Sequence, residues 1–254
     1  MRDFKIKVIG SGGALPTKER SSSAFLVDVG GKKILLDCGV GTIRRLTEFD
    51  IKLADIDLLF TSHFHPDHFA DIEPFVHLRF VMGLRDKSSI RTLTLIGPEE
   101  TSSNFALLRK VFWREPNENY PLKILEGPTE KSFGDVKITT FPVEHVQWFK
   151  SVGIRIEHDN KKLVYTGDVG SRQNVTELVN QAKDADLLII ESCMASAPTP
   201  NHFSLSQIEQ VATKANVKKV LVMHIRPPDV ETIKDFCSKR SNYIMARDGL
   251  EIKI

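Results

Sequence analysis

The sequence predicts an α/β protein in which strands and helices alternate along the chain. Apolar, β-rich runs recur between amphipathic helical patterns from one end to the other. Five of these runs stop at a polar residue able to bind metal or move protons. Sites in α/β architectures gather at the carboxyl ends of strands, so endings of this kind favour that class. The first half ends in strands flanked by helices, and the second half repeats the order. Two sheets packed together with helices outside each satisfy this pattern; so does one doubly wound sheet.

Short runs rich in β-branched and aromatic residues place strands over 4–9, 24–29, 32–36, 57–61, 92–96, 135–141, 152–157, 161–166, 186–191, 219–223 and 250–253. Helical spacing of apolar residues places helices over 41–48, 69–82, 99–112, 173–183, 205–215 and 229–238. The helix from 205 has the clearest start, because Ser204 and Gln207 form an S-x-x-Q capping box. Leu205, Ile208, Val211, Ala212 and Ala215 then form its buried stripe. Gly10 to Ser23 and Tyr120 to Glu130 read as loops. With no linker or low-complexity tract, 1–254 is expected to form one domain.

Composition excludes several classes. A formal net charge of +2 does not demand a nucleic-acid partner. No stretch approaches the roughly 20 apolar residues of a membrane span. The charged start Met1-Arg2-Asp3-Phe4-Lys5 lacks the apolar centre of a signal peptide, so a cytoplasmic protein is expected. Cys38, Cys193 and Cys237 are too scattered for a disulfide framework. Cys38 and Cys193 each lie close after an acidic residue at a strand end and could lie near the site, but a buried small hydrophobe is the better reading of both.

The chemistry concentrates in His63-Phe64-His65-Pro66-Asp67-His68, straight after the strand at 57–61. In extended chain, His63, His65 and Asp67 point one way and His68 the other. Imidazole nitrogen and carboxylate oxygen crowded together suit zinc and its first-row neighbours. The other endings are His145 after the strand through Phe141, Asp168 after Thr166-Gly167, Glu191 after Ile190, and His224 after Met223. His63, His65 and His145 could hold one ion, and Asp67, His68 and His224 another, with Asp168 bridging. Two ions roughly 3.5–4 Å apart lower the pKa of a shared water, making hydroxide a nucleophile at neutral pH.

These motifs, with Leu35-Leu36-Asp37-Cys38-Gly39, resemble the ordered motifs of the metallo-β-lactamase superfamily along the whole chain. The resemblance implies an αββα four-layer sandwich of two mixed β-sheets flanked by helices, with metals where the sheets meet. It also implies that Asp37 orients the metal loop rather than binding metal. The ions expected are two divalent cations, with Zn2+ ahead of Mn2+ or Fe2+. Gly10-Ser11-Gly12-Gly13-Ala14-Leu15-Pro16-Thr17, Ile190-Glu191-Ser192 and Asn201-His202-Phe203-Ser204 are similar to segments of the ribonuclease Z-like phosphodiesterases. That branch implies that His202 protonates the leaving oxygen and Glu191 steadies it. Asp67, His202 and Glu191 are therefore the expected catalytic set. The chain departs from the branch between Gly97 and His145, which holds no Gly/Lys-rich tRNA-gripping arm, and after His224, where Ile225-Arg226-Pro227-Pro228 stands.

Lys18 and Arg20 are expected phosphate contacts, and Trp148 and Phe149 could stack a base or wall the pocket. Arg109, Lys110, Phe112, Trp113 and Arg114 read as a helix with one packed and one solvated face. The function expected is a dinuclear metal-dependent phosphodiesterase acting on RNA, a cyclic nucleotide or another small phosphodiester. A lactonase or thioesterase using the same metals is the second reading, and a non-catalytic metal-binding interaction protein the third. No membrane partner is expected. A homodimer stays open, since a second protomer could supply the missing grip.

Overall fold

The computed structural model describes residues 4–112 and 118–254. Its first sheet contains β1 (Lys5–Gly10), β2 (Ala24–Val29), β3 (Lys32–Leu36), β4 (Leu58–Phe60), β5 (Leu93–Gly97) and β6 (Leu122–Glu126). Its second contains β7 (Glu130–Phe133), β8 (Val136–Val143), β9 (Ser151–His158), β10 (Lys161–Tyr165), β11 (Leu187–Glu191), β12 (Val220–Met223) and β13 (Tyr243–Met245). The last strand, β14 (Glu251–Lys253), returns to the first sheet beside β1. Each sheet has seven strands, ordered β14-β1-β2-β3-β4-β5-β6 and β13-β12-β11-β10-β9-β8-β7.

Alternation of side chains makes the layers. In β4, Leu58 and Phe60 enter the core between the sheets, while Leu59 faces the outer helices. In β11, Leu187 and Ile189 enter that same core; Leu188 and Ile190 pack on the opposite helical layer. Strands buried on both faces read as continuous apolar runs, which is why the sequence pattern alone left two architectures open. Helices α1 (Thr42–Glu48), α3 (Ile72–Arg85) and α4 (Thr101–Phe112) supply the layer outside the first sheet, with α2 (Pro66–Phe69) between α1 and α3 in the chain. Helices α5 (Val175–Ala182), α6 (Leu205–Lys214) and α7 (Val230–Ser238) cover the second. The fold is the αββα sandwich. No helix among the described residues is long and apolar enough to cross a membrane.

Three strands lie outside the expected set. β6 falls in the Tyr120–Glu130 segment read as a loop, and β7 and β13 were not expected. β6, β7 and β13 lie at sheet edges, so one side of each has no strand partner. Their faces are half wet, and β7, Glu-Lys-Ser-Phe, carries almost no apolar signal. The capping box at Ser204 and Gln207 is present.

Strand direction positions the site. β3, β4 and β5 run parallel, as do β10, β11 and β12. β8 shares the direction of β10 because both pair antiparallel with β9. Asp37, the His63–His68 segment, His145, Asp168, Glu191 and His224 therefore collect along one edge of the sandwich. Gly39 is a tight point of that edge. A Cβ there would lie 1.9 Å from the carbonyl oxygen and 2.1 Å from the carbonyl carbon of Asp67, a collision with backbone rather than with a movable side chain. Gly39→Ala should therefore displace the Asp67 backbone, cost at least about 1–3 kcal/mol as overpacking does, and reduce bound metal. Thermal melting and metal analysis check this, and wild-type values for both would contradict the role given to Gly39.

Candidate metal centre

After β4 the chain bends at Ser62 and reaches His65 in an extended conformation, then Pro66 starts the single turn of α2. This turn corrects the extended-chain expectation for Asp67. Instead of joining His63 and His65, Asp67 and His68 both turn toward His224. Two groups result. His63 Nε2 and His145 Nε2 lie 3.0 and 3.2 Å from His65 Nδ1. His224 Nε2 lies 3.2 Å from Asp67 Oδ2, and His68 Nε2 lies 3.5 Å from the same oxygen. Asp168 stands between the groups: Oδ2 is 3.9 Å from His145 Nε2 and 3.2 Å from His224 Nε2, while Oδ1 is 3.5 Å from His68 Nε2.

The donor set fits divalent cations. A tetrahedral zinc with ligands at about 2.0–2.1 Å separates its donors by about 3.3 Å, close to the spacings here. His68 Nε2 and Asp168 Oδ1 are buried and have no hydrogen-bond partner, an expensive condition that a shared cation removes. His63, His65, His145 and Asp168 could hold one ion; Asp67, His68 and His224 could hold a second, with Asp168 in reach of both.

Hydrogen bonds leave the ligating nitrogens free. Asp37 is fully buried and collects four donors. Its Oδ1 accepts the Ser62 N–H at 2.6 Å. Its Oδ2 accepts the Ser62 hydroxyl at 2.8 Å, His68 Nδ1 at 2.6 Å and the Tyr165 hydroxyl. With Nδ1 engaged, His68 presents Nε2 to the site. His145 Nδ1 donates to the Asn201 carbonyl at 2.7 Å, and His63 Nδ1 meets the Ser62 hydroxyl at 2.9 Å. Asp37 and His224 hold φ values of 58° and 59°, in the left-handed region that non-glycine residues rarely adopt.

Burial chiefly drives His63, His65 and His145 below the ordinary imidazole range, into the neutral form that binds metal. Burial has the same sense at His68 and His224, but carboxylates outweigh it. Asp168 and Asp37 push His68 up to about 10, and Asp168 and Asp67 raise His224. Burial opposes charge at Asp67 and Asp168, yet His224 and His68 hold both carboxyl groups well below their usual range.

His202 stands beside this set, with ring centroids 5.2 Å from His145 and 5.6 Å from His224. Glu191, fully buried, accepts His202 Nδ1 and the Phe203 N–H on Oε1, each at 3.1 Å, and the Cys193 N–H on Oε2 at 2.5 Å. His202 is not the cap of α6; Ser204 is. Burial would lower the His202 pKa, but the Cys193 thiol, Glu191 and Asp168 raise it to about 10.

A cleft of about 610 Å³ opens over Asp67, Asp168, His202 and His224, walled by Leu15 and Arg226. The expected phosphate contacts do not line it. Lys18 is exposed outside it, and Arg20 is turned inward, only 8% exposed. Arg20 Nη1 donates to Ser11 Oγ and the Ala246 carbonyl, both at 2.6 Å, so it ties the first loop to the end of the chain. Phe149 does wall the metal group, 5.0 Å from His65 and 5.7 Å from His63 between ring centroids. Trp148, 70% exposed, lines the adjoining cleft of about 530 Å³. Arg109 is buried against Phe105 and paired with Glu118 at 2.5 Å, while Lys110 and Phe112 are exposed. Trp113 and Arg114 lie outside the described residues.

Sequence reasoning missed Ser62 and Tyr165. Tyr165 left a signal: a phenol at the end of an aliphatic buried strand needs a partner for its hydroxyl. Cys38 and Cys193 are both buried, as expected, and Cys193 also lies by the site, its thiol within 4.8 Å of the ligand nitrogens of His202 and His224.

A family model described as Anti-Pycsar protein Apyc1 matches residues 4–241. Ribonuclease Z of Archaeoglobus fulgidus is 26% identical, with 99% of this chain and 98% of the relative covered. That alignment runs over 310 positions, more than the 254 residues here, so stretches of the relative face gaps in this chain. The metallo-β-lactamase fold protein YhfI from Bacillus subtilis superposes with a TM-score of 0.82 at 22% identity, over 100% of both chains. Human tRNase Z, short form, superposes with a TM-score of 0.79 at 19% identity, over 98% of each. The chain belongs to the Anti-Pycsar protein Apyc1 family and is a metal-dependent hydrolase of the metallo-β-lactamase superfamily, close to its ribonuclease Z-like branch.

Proposed function

We propose that this protein is a dinuclear phosphodiesterase whose substrates are small phosphodiesters, cyclic nucleotides among them. The observation that carries the reading is the His202–Glu191 pair beside the metal ligands. A carbonyl hydrolase needs the ions but gains less from a dedicated acid. A phosphodiester with an alkoxide leaving group needs a proton on the departing oxygen. Two divalent cations, zinc foremost, would supply a water of lowered pKa and neutralise charge on the phosphoryl oxygens.

The chain's own residues have distinct tasks. Glu191 engages His202 Nδ1 at 3.1 Å and leaves Nε2 free to give its proton to the leaving oxygen. Asp37 fixes Ser62 and His68, and so the shape of the loop that carries four ligands. Asp67 turns one oxygen to His224 and His68, and with those two rings would hold a second ion. Phe149 closes one side of the first group with an apolar ring, limiting water there. The open cleft above His202 and Arg226 suits a small substrate.

Loss of the acid should depend on the leaving group. His202→Ala should slow alkyl phosphodiesters by roughly 10²–10⁴-fold, the usual worth of general acid catalysis, and p-nitrophenyl phosphodiesters far less. Bound metal and the melting temperature should not change. Equal losses on both substrate types, with metal and stability intact, would count against the acid role.

Pre-tRNA should be a poor substrate beside cyclic nucleotides, because this chain lacks an arm to grip it. Competition between the two for limiting enzyme measures the preference. Salt-sensitive binding and efficient 3′ cleavage of pre-tRNA would reverse it.

A further inference from the structure

We propose that Cys193, His202 and His224 form a third ion site, suited to thiol-seeking cations such as Cd2+ or excess Zn2+, whose occupation switches the enzyme off. The ligand atoms of these three residues lie within 4.8 Å of one another. All three line the 610 Å³ cleft, so an ion entering from solvent reaches them. Cys193 is only 7% exposed, and its position is built rather than incidental. One carboxylate, Glu191, accepts both the Cys193 N–H and His202 Nδ1, and so holds thiol and imidazole side by side.

The site competes with catalysis for the same groups. His224 belongs to two clusters, one with Asp67 and His68 and one with Cys193 and His202. The first offers oxygen and nitrogen donors and suits harder cations; the second offers sulfur and suits softer ones. A soft cation binding there displaces to solvent the thiol proton and the proton of each ring nitrogen it takes, and holds sulfur and two imidazole nitrogens as ligands. His224 would then be drawn from an ion held with Asp67 and His68, and His202 would no longer have a nitrogen for the leaving oxygen. The loss of the acid rests on the function proposed above for His202; the ion site itself does not.

The test adds Cd2+ to the Mn2+-loaded enzyme and follows two readings together. One is the near-ultraviolet thiolate-to-cadmium charge-transfer absorption, and the other is turnover of an alkyl phosphodiester. In the wild type, one cadmium thiolate per chain should form as turnover falls by roughly 10²-fold or more, the worth of the lost acid. Cys193→Ser and Cys193→Ala, each compared with its own starting rate and checked by melting, should show no such band and lose little turnover. A wild type that binds Cd2+ without the band overturns the site, as does a band that persists in both variants. Equal inhibition of wild type and variants overturns the switch, as does a wild-type band with turnover unchanged. If the acid role of His202 is wrong, the Cys193-dependent band still forms while His202→Ala loses its dependence on leaving group. If the ion site is wrong, that dependence remains.

Discussion

Seven ionisable side chains converge where two apolar sheets meet, and only positive charge makes the convergence affordable. Asp67, Asp168, His63, His68, His145 and His224 are buried, and His65 is half-buried. Burying so many polar groups unpaired would cost several kcal/mol. The protonation pattern shows the conflict. Burial favours the neutral ring at His63, His65 and His145, while the carboxylates favour the charged ring at His68 and His224. A divalent cation held by these groups would answer both conditions, since it would replace the protons with charge that the neutral rings can also use.

The fold exists around this edge. Parallel strands in each sheet deliver their carboxyl ends to one side, and the two sheets bring the His63–His68 loop of one against Asp168, Glu191 and His224 of the other. Asp37 crosses that seam. It belongs to the end of β3 yet accepts the hydroxyl of Tyr165 from β10, so the metal loop is referenced to both sheets at once. Left-handed backbone at Asp37 and His224 is strain the packed sheets sustain at the site itself.

Much of this was legible in the sequence because the ligands stand at the ends of strands. A polar residue at or just past the end of an apolar run, as at Glu191 and His224, is visible without any structure, and the recurrence of such endings pointed to one site. What depended on distant partners was not visible. Arg20 looked like a phosphate ligand, but it meets Ala246, 226 residues away. Cys193 looked like a small hydrophobe because a thiol's spatial neighbours, here His202 and His224, do not appear in its local pattern. Edge strands β6, β7 and β13 escaped because half-solvated faces carry a weak period.

The number of ions per chain tests the account most directly. Elemental analysis of protein purified without chelator, beside Asp168→Ala, measures it. The account predicts two divalent ions per wild-type chain, and loss of most of the metal when the carboxylate shared by both groups is removed. One tightly held ion per chain, retained in Asp168→Ala, would contradict it.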